Sequence, residues 1–136
     1  MSVAMRYGSN EYTRSRGASG GGSSGGITMS LLWTNPSPTS SFAAQTVLVD
    51  TTEYDMAVVF CRTFATTDSN TSVMSSFVLK DVKCAIQIQS PASSNAGIRR
   101  VTMTNTGFEF MQGSYNGSTN NNNGVPLYIY GVKGIT

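Results

Sequence analysis

From Ile27 onward, apolar residues recur in short runs with a period of two, and each run ends in a turn signal. Ile27–Trp33 is the first run, ended by Asn35-Pro36-Ser37-Pro38, because proline cannot continue a hydrogen-bonded ladder. Gln45–Asp50 alternates with Val47 and Val49 on one face. Asp55–Phe64 is the most continuously apolar run and predicts a central strand, followed by a polar turn at Thr66–Thr71. Val73–Lys80 leads to a turn at Asp81. Lys83–Gln89 then sets Cys84, Ile86 and Ile88 against Lys83, Ala85, Gln87 and Gln89, which predicts a half-exposed strand. After a loop at Ser90–Gly97, Ile98–Thr104 places Val101 and Met103 opposite Arg100, Thr102 and Thr104. Asn105-Thr106-Gly107 reads as a tight turn into Gly107–Met111, which carries Phe108 and Phe110 on one side. Gln112–Gly124 reads as a long polar loop, and Pro126–Lys133 as the last strand. Eight short strands without helical periodicity predict an all-β fold. The expected form is an antiparallel β-sandwich, jelly-roll-like, with a closed barrel as the alternative.

The first 26 residues differ. Residues 1–16 mix small, aromatic and basic residues without periodicity and read as an extended N-terminal arm. Residues 17–26 are a Gly/Ser-rich linker by composition. The domain is therefore expected over residues 27–136, about 110 residues, enough for one sandwich core. Only 12% of the chain is charged, against an average near ~25%, and Ser, Thr, Asn and Gly fill the polar positions instead. The net charge of +2 lies in the arm, where Arg6, Arg14 and Arg16 face only Glu11, while six basic and six acidic residues cancel in the body. A neutral body is a poor footprint for nucleic acid. No apolar run is long enough to span a membrane, and no secretory signal opens the chain, so synthesis in a cytoplasm is expected.

Little in the sequence points to catalysis. There is no histidine, which excludes Ser–His and Cys–His nucleophile pairs. Cys61 and Cys84 lack metal-site spacing and lie in apolar runs, so they read as buried free thiols. Asp50, Glu53 and Asp55 cluster, but without the glycine of a calcium loop, and read as a polar turn. No catalytic residue, metal ligand or cofactor is expected. Arg99-Arg100 is the one basic pair of the body; on a strand the two point to opposite faces, and a structural ion pair is expected. Tyr115, with Asn116 and Asn120 in the polar loop, is a candidate glycan contact, because aromatic faces beside amides and hydroxyls suit sugars. The same tyrosine also reads as a simple loop anchor. Tyr128 and Tyr130 share one face of the last strand, opposite Leu127 and Ile129. A strand apolar on both faces is buried on both, which makes the tyrosine face a candidate subunit interface.

The segment Leu32-Trp33-Thr34-Asn35-Pro36-Ser37-Pro38-Thr39-Ser40-Ser41-Phe42-Ala43-Ala44-Gln45-Thr46-Val47, with a strand near Tyr54-Asp55, resembles the small C-terminal β-modules of phage tail-fibre and minor virion structural proteins. So do Arg99-Arg100, the Gly107–Phe110 strand, the Asn-rich loop and the ending Val125-Pro126-Leu127-Tyr128-Ile129-Tyr130-Gly131-Val132-Lys133. The likeness spans Leu31 to Lys133. It implies a non-enzymatic virion protein whose sandwich forms a homo-oligomer, a trimer in such modules, and projects from the particle. Residues 1–26 would dock on other virion proteins of the capsid or tail through Arg6, Tyr7, Tyr12, Arg14 and Arg16. A host surface glycan is the expected ligand of the exposed end, with neither nucleic-acid binding nor membrane insertion. This chain has no extended shaft, so a capsid decoration or head-fibre protein without receptor binding is the alternative. From another class, a freestanding carbohydrate-binding module is the rival.

Overall fold

The computed structural model describes residues 3–5, 12–14, 26–64, 71–89 and 96–134. The described residues form β-strands and turns without a helix. Two antiparallel sheets pack face to face as a β-sandwich. The first has the order β3 (Thr28–Thr34), β12 (Asn123–Lys133), β5 (Met56–Phe64), β6 (Val73–Leu79). The last strand thus lies between β3 and β5, a long return of the Greek-key kind. In the second sheet, β4 (Gln45–Leu48) pairs with β9 (Gly107–Phe110), which pairs with β8 (Ala96–Thr104). The opposite edge of β8 carries β7 (Lys83–Gln89). A small hairpin, β10 (Ser114–Tyr115) and β11 (Ser118–Thr119), continues beyond β9 along β8. In the arm, β1 (Val3–Met5) and β2 (Tyr12–Arg14) pair with each other. The turn expected at Thr66–Thr71 and the loop expected at Ser90–Gly97 fall largely outside the described residues.

The core forms where the predicted alternation places it. Ala57, Val59 and Cys61 of β5, Val78 of β6 and Ile129 of β12 meet Val47, Ile86, Ile88, Val101, Met103, Phe108 and Phe110 of the facing sheet. Burying one such side chain stabilises by about 1.5–3 kcal/mol. Gly131 is required inside β12 because the ring of Tyr54 lies where its Cβ would sit, 2.5 Å from Cδ1. Both cysteines are free; Cys61 is buried and Cys84 half-buried. Burial pushes the Cys61 thiol up to about 12.

The Asn-rich segment departs from the long-loop expectation. Asn116 (φ 50°) and Gly117 (φ 79°) turn the β10–β11 hairpin, the left-handed pair of a two-residue type I′ turn. Strand β12 begins at Asn123, three residues before the expected Pro126. Asn123 is buried and its Nδ2 donates to the Ser114 carbonyl at 2.7 Å. Its amide therefore serves at a position that an apolar pattern does not mark.

Candidate functional site

The two sheets differ on their outer faces. Outside the second sheet, Lys83, Thr102, Glu109 and Thr46 form one cross-strand row, and Ala85 stands beside Arg100. That polar face is what a sheet meeting water carries. Outside the first sheet, the registers build three rows of the opposite character. Met29, Val132, Met56 and Leu79 form one row; Leu31, Tyr130, Val58 and Phe77 form the next; Thr34, Tyr128, Phe60 and Ser75 form the third. Phe77 is 71% exposed, Leu79 52%, Tyr128 44% and Leu31 43%. The Phe60 and Tyr130 rings meet edge to face at 5.7 Å. No charge lies in these rows, although Arg62 follows Phe60 on the same face of β5, and Thr34 and Ser75, both in one row, are their polar members.

The candidate interface residues Tyr128 and Tyr130 are thus part of a wider apolar face, to which β3, β5 and β6 also contribute. Four strands at about 4.8 Å spacing and six residues at about 3.4 Å rise give a footprint of roughly 400 Å² before side-chain relief. Val58 and Val132 are buried within it, and Leu31, Phe77, Leu79 and Tyr128 are its exposed part; contiguous exposed apolar patches of this kind mark interaction sites. The footprint also suits the apolar core of an interface that buries about 800 Å² per partner.

Arg99 takes a role that its sequence does not announce. No ion pair engages Arg99 or Arg100 among the described residues; the expected pairing gives way to backbone capture. Arg99 is fully buried, whereas Arg100 is exposed. Val101 pairs with Phe110 and Ile98 with Ser114, so two residues of β8 face the three residues Met111–Gly113, a bulge. The Arg99 guanidinium fills this interruption. Its Nη1 donates to the Met111 carbonyl at 2.8 Å, its Nη2 to those of Asn123 at 2.9 Å and Asn121 at 3.3 Å, and its Nε to that of Asn123 at 3.2 Å. The Phe42 ring lies 5.5 Å from its Cζ. Burial lowers its pKa to about 10, which leaves it charged at neutral pH.

The candidate glycan residues sit on and beside the β10–β11 hairpin. The Tyr115 ring is half-buried and edge-on to Phe64 at 5.8 Å. Asn116 occupies the turn, and Asn120 Oδ1 accepts from the Asn122 N–H at 3.0 Å. Tyr115 and Asn120 are thus engaged in shaping this end of the fold. Of the arm residues, Arg6, Tyr7 and Arg16 lie outside the described residues, while Tyr12 and Arg14 fall in β2. The acidic cluster forms a turn in which Asp50 Oδ1 accepts from Thr52 N and Oγ1. Those bonds lower the Asp50 pKa. No arrangement of His, Cys, Asp or Glu suited to a metal occurs among the described residues. The chain matches no protein-family model, no curated protein and no solved structure.

Proposed function

We propose that this chain is a non-enzymatic structural protein of a bacteriophage virion, made in the host cytoplasm. In this reading it is a short appendage module. Residues 1–26 dock on capsid or tail proteins, and the sandwich projects outward as a homo-oligomer for attachment to the host surface. The phage assignment is supported by the sequence likeness over Leu31 to Lys133. The assembly role is supported by one observation above all, the apolar outer face of the β3–β12–β5–β6 sheet.

The occupant of that face is a second copy of the chain. Its rows carry no charge, whereas the arm, whose strand β2 touches the edge strand β3, carries three arginines. Another copy offers the same apolar rows, and their footprint suits the core of a standard interface of about 800 Å² per partner. Desolvating this face between copies is favourable by about 25 cal/mol per Å² before the costs of association.

Light scattering on the full chain at micromolar concentration tests the assembly. The native chain is expected as an oligomer. The double variant Phe77→Glu/Tyr128→Glu is expected as a monomer with an unchanged far-UV circular dichroism spectrum, because both side chains are exposed in the single chain. A clean native monomer, or an oligomer that survives both glutamates, removes the basis for the assembly role.

A further inference from the structure

A cleft of about 470 Å³ opens along one side of the sandwich, between β3 and β4 and under the 35–44 connection. Trp33 and the exposed Leu48 line it over the buried Phe42 and Val47, and Ser41 and Gln45 contribute a hydroxyl and an amide. None of its lining residues is charged. The volume lies within the range of small-molecule sites, about 300–1,000 Å³.

The walls are set before any ligand arrives. Asn35 is buried; its Nδ2 donates to the Pro126 carbonyl at 2.8 Å and its Oδ1 accepts from the Ser37 N–H at 2.8 Å. The Phe42 N–H donates to the Asn121 carbonyl at 2.8 Å. The Phe42 ring is held edge to face by Trp33 at 6.1 Å and by Phe110 at 5.4 Å, with Arg99 over it. The Gln45 amide nitrogen donates to the Ala43 carbonyl at 3.2 Å, which fixes that side chain at the rim. Such preorganisation lowers the entropy lost on binding.

We infer that this cleft binds a neutral saccharide unit. A sugar presents C–H faces that pack on aromatic rings and hydroxyls that exchange hydrogen bonds with amides and hydroxyls. An anionic ligand would find no cation in the lining, and a purely apolar one would use neither the Ser41 hydroxyl nor the Gln45 amide oxygen. The inference places the glycan contact at the Trp33 cleft rather than at Tyr115. It deepens the surface-attachment part of the proposed function and rests on that part only for its biological setting.

Trp33 is the chain's single tryptophan, so its emission reports on the cleft directly. The full-length chain is titrated with neutral di- and trisaccharides of hexoses and N-acetylhexosamines, with sialylated and uronic counterparts, and with an extended uncharged peptide able to add to the β4 edge. A saturable change in emission is expected with at least one neutral sugar. The Ser41→Ala/Gln45→Ala variant is expected to weaken that binding at least tenfold, since both residues are exposed and their loss leaves the fold intact. Circular dichroism and light scattering on the same samples report fold and oligomer separately, so failure of the cleft is distinguished from failure of the assembly. A response only to acidic glycans or to the peptide, a response unchanged by the double variant, or no response to any neutral sugar overturns the inference.

Discussion

At the scale of single residues, Arg99 holds together a part of the fold that has little apolar material of its own. A buried guanidinium without a carboxylate is costly, and here carbonyl oxygens of Met111, Asn121 and Asn123 solvate it. Removing the donors leaves these acceptors facing an empty space. Arg99→Ala is expected to lose on the order of 3–5 kcal/mol in urea unfolding, a large share of the stability of a domain this size. Arg99→Lys is expected to recover only part of the loss, since an ammonium cannot span the same carbonyls as a planar fork. Cys61 supplies a second test. Its folded-state pKa is raised from 9.0 to about 12 by burial, so above pH 9 the unfolded chain gives up a proton that the folded chain keeps. This contribution is fully present below about pH 9 and is lost as pH rises toward 12. In parallel, a thiol reagent at neutral pH is expected to reach Cys84 before Cys61, with Cys61 labelled only on unfolding.

At the scale of elements, the strands carried by apolar alternation were legible and those carried by polar groups were not. Lys83–Gln89 has the expected bounds because Cys84, Ile86 and Ile88 turn inward against water-facing partners. The β10–β11 hairpin escapes that reading because Ser, Thr, Asn and Gly supply no periodicity. Its legible signal is Asn116-Gly117, a dipeptide suited to two successive left-handed residues. Arg99 was also hidden, because a charged residue on a strand suggests a partner acid, and only the tertiary bulge creates carbonyls for it to meet. Tyr128 and Tyr130 were legible as an unusual second apolar face, whereas the rows they join needed the cross-strand registers. The bulge itself depends on close approach at Gly113, where a Cβ would lie 2.4 Å from the Asn120 carbonyl and 2.8 Å from Arg99 Nη2. Gly113→Ala is expected to destabilise by about 1–3 kcal/mol in denaturant titration, because backbone and a buried ring of hydrogen bonds must shift.

At the scale of the molecule, the two outer faces of the sandwich differ in character, and the proposed assembly follows from that difference. The face with Lys83, Thr102 and Glu109 meets water, while the face with Leu31, Phe77 and Tyr128 is available to another copy. Deleting residues 1–26 is expected to abolish incorporation into particles while leaving the oligomer intact in light scattering. Incorporation of the shortened chain at native levels would contradict a docking role for the arm.

The pairing of Thr28 with Lys133 gives the sandwich a root and a tip. The chain enters and leaves the sheet side by side there, close enough that a Cβ on Gly134 would lie 2.6 Å from the Gly26 carbonyl. Strand β3 then runs about 20 Å to Trp33 and Asn35 at the far end. In the proposed appendage, an anchorage at Gly26 sets the aim of every copy, since the rigid strand that starts at the mount ends at the saccharide cleft. A bulky fusion after Lys133 would therefore crowd the mount and leave the tip clear. The connection at 35–44 is instead the place where a change of sequence could alter what the tip meets without disturbing how it is held.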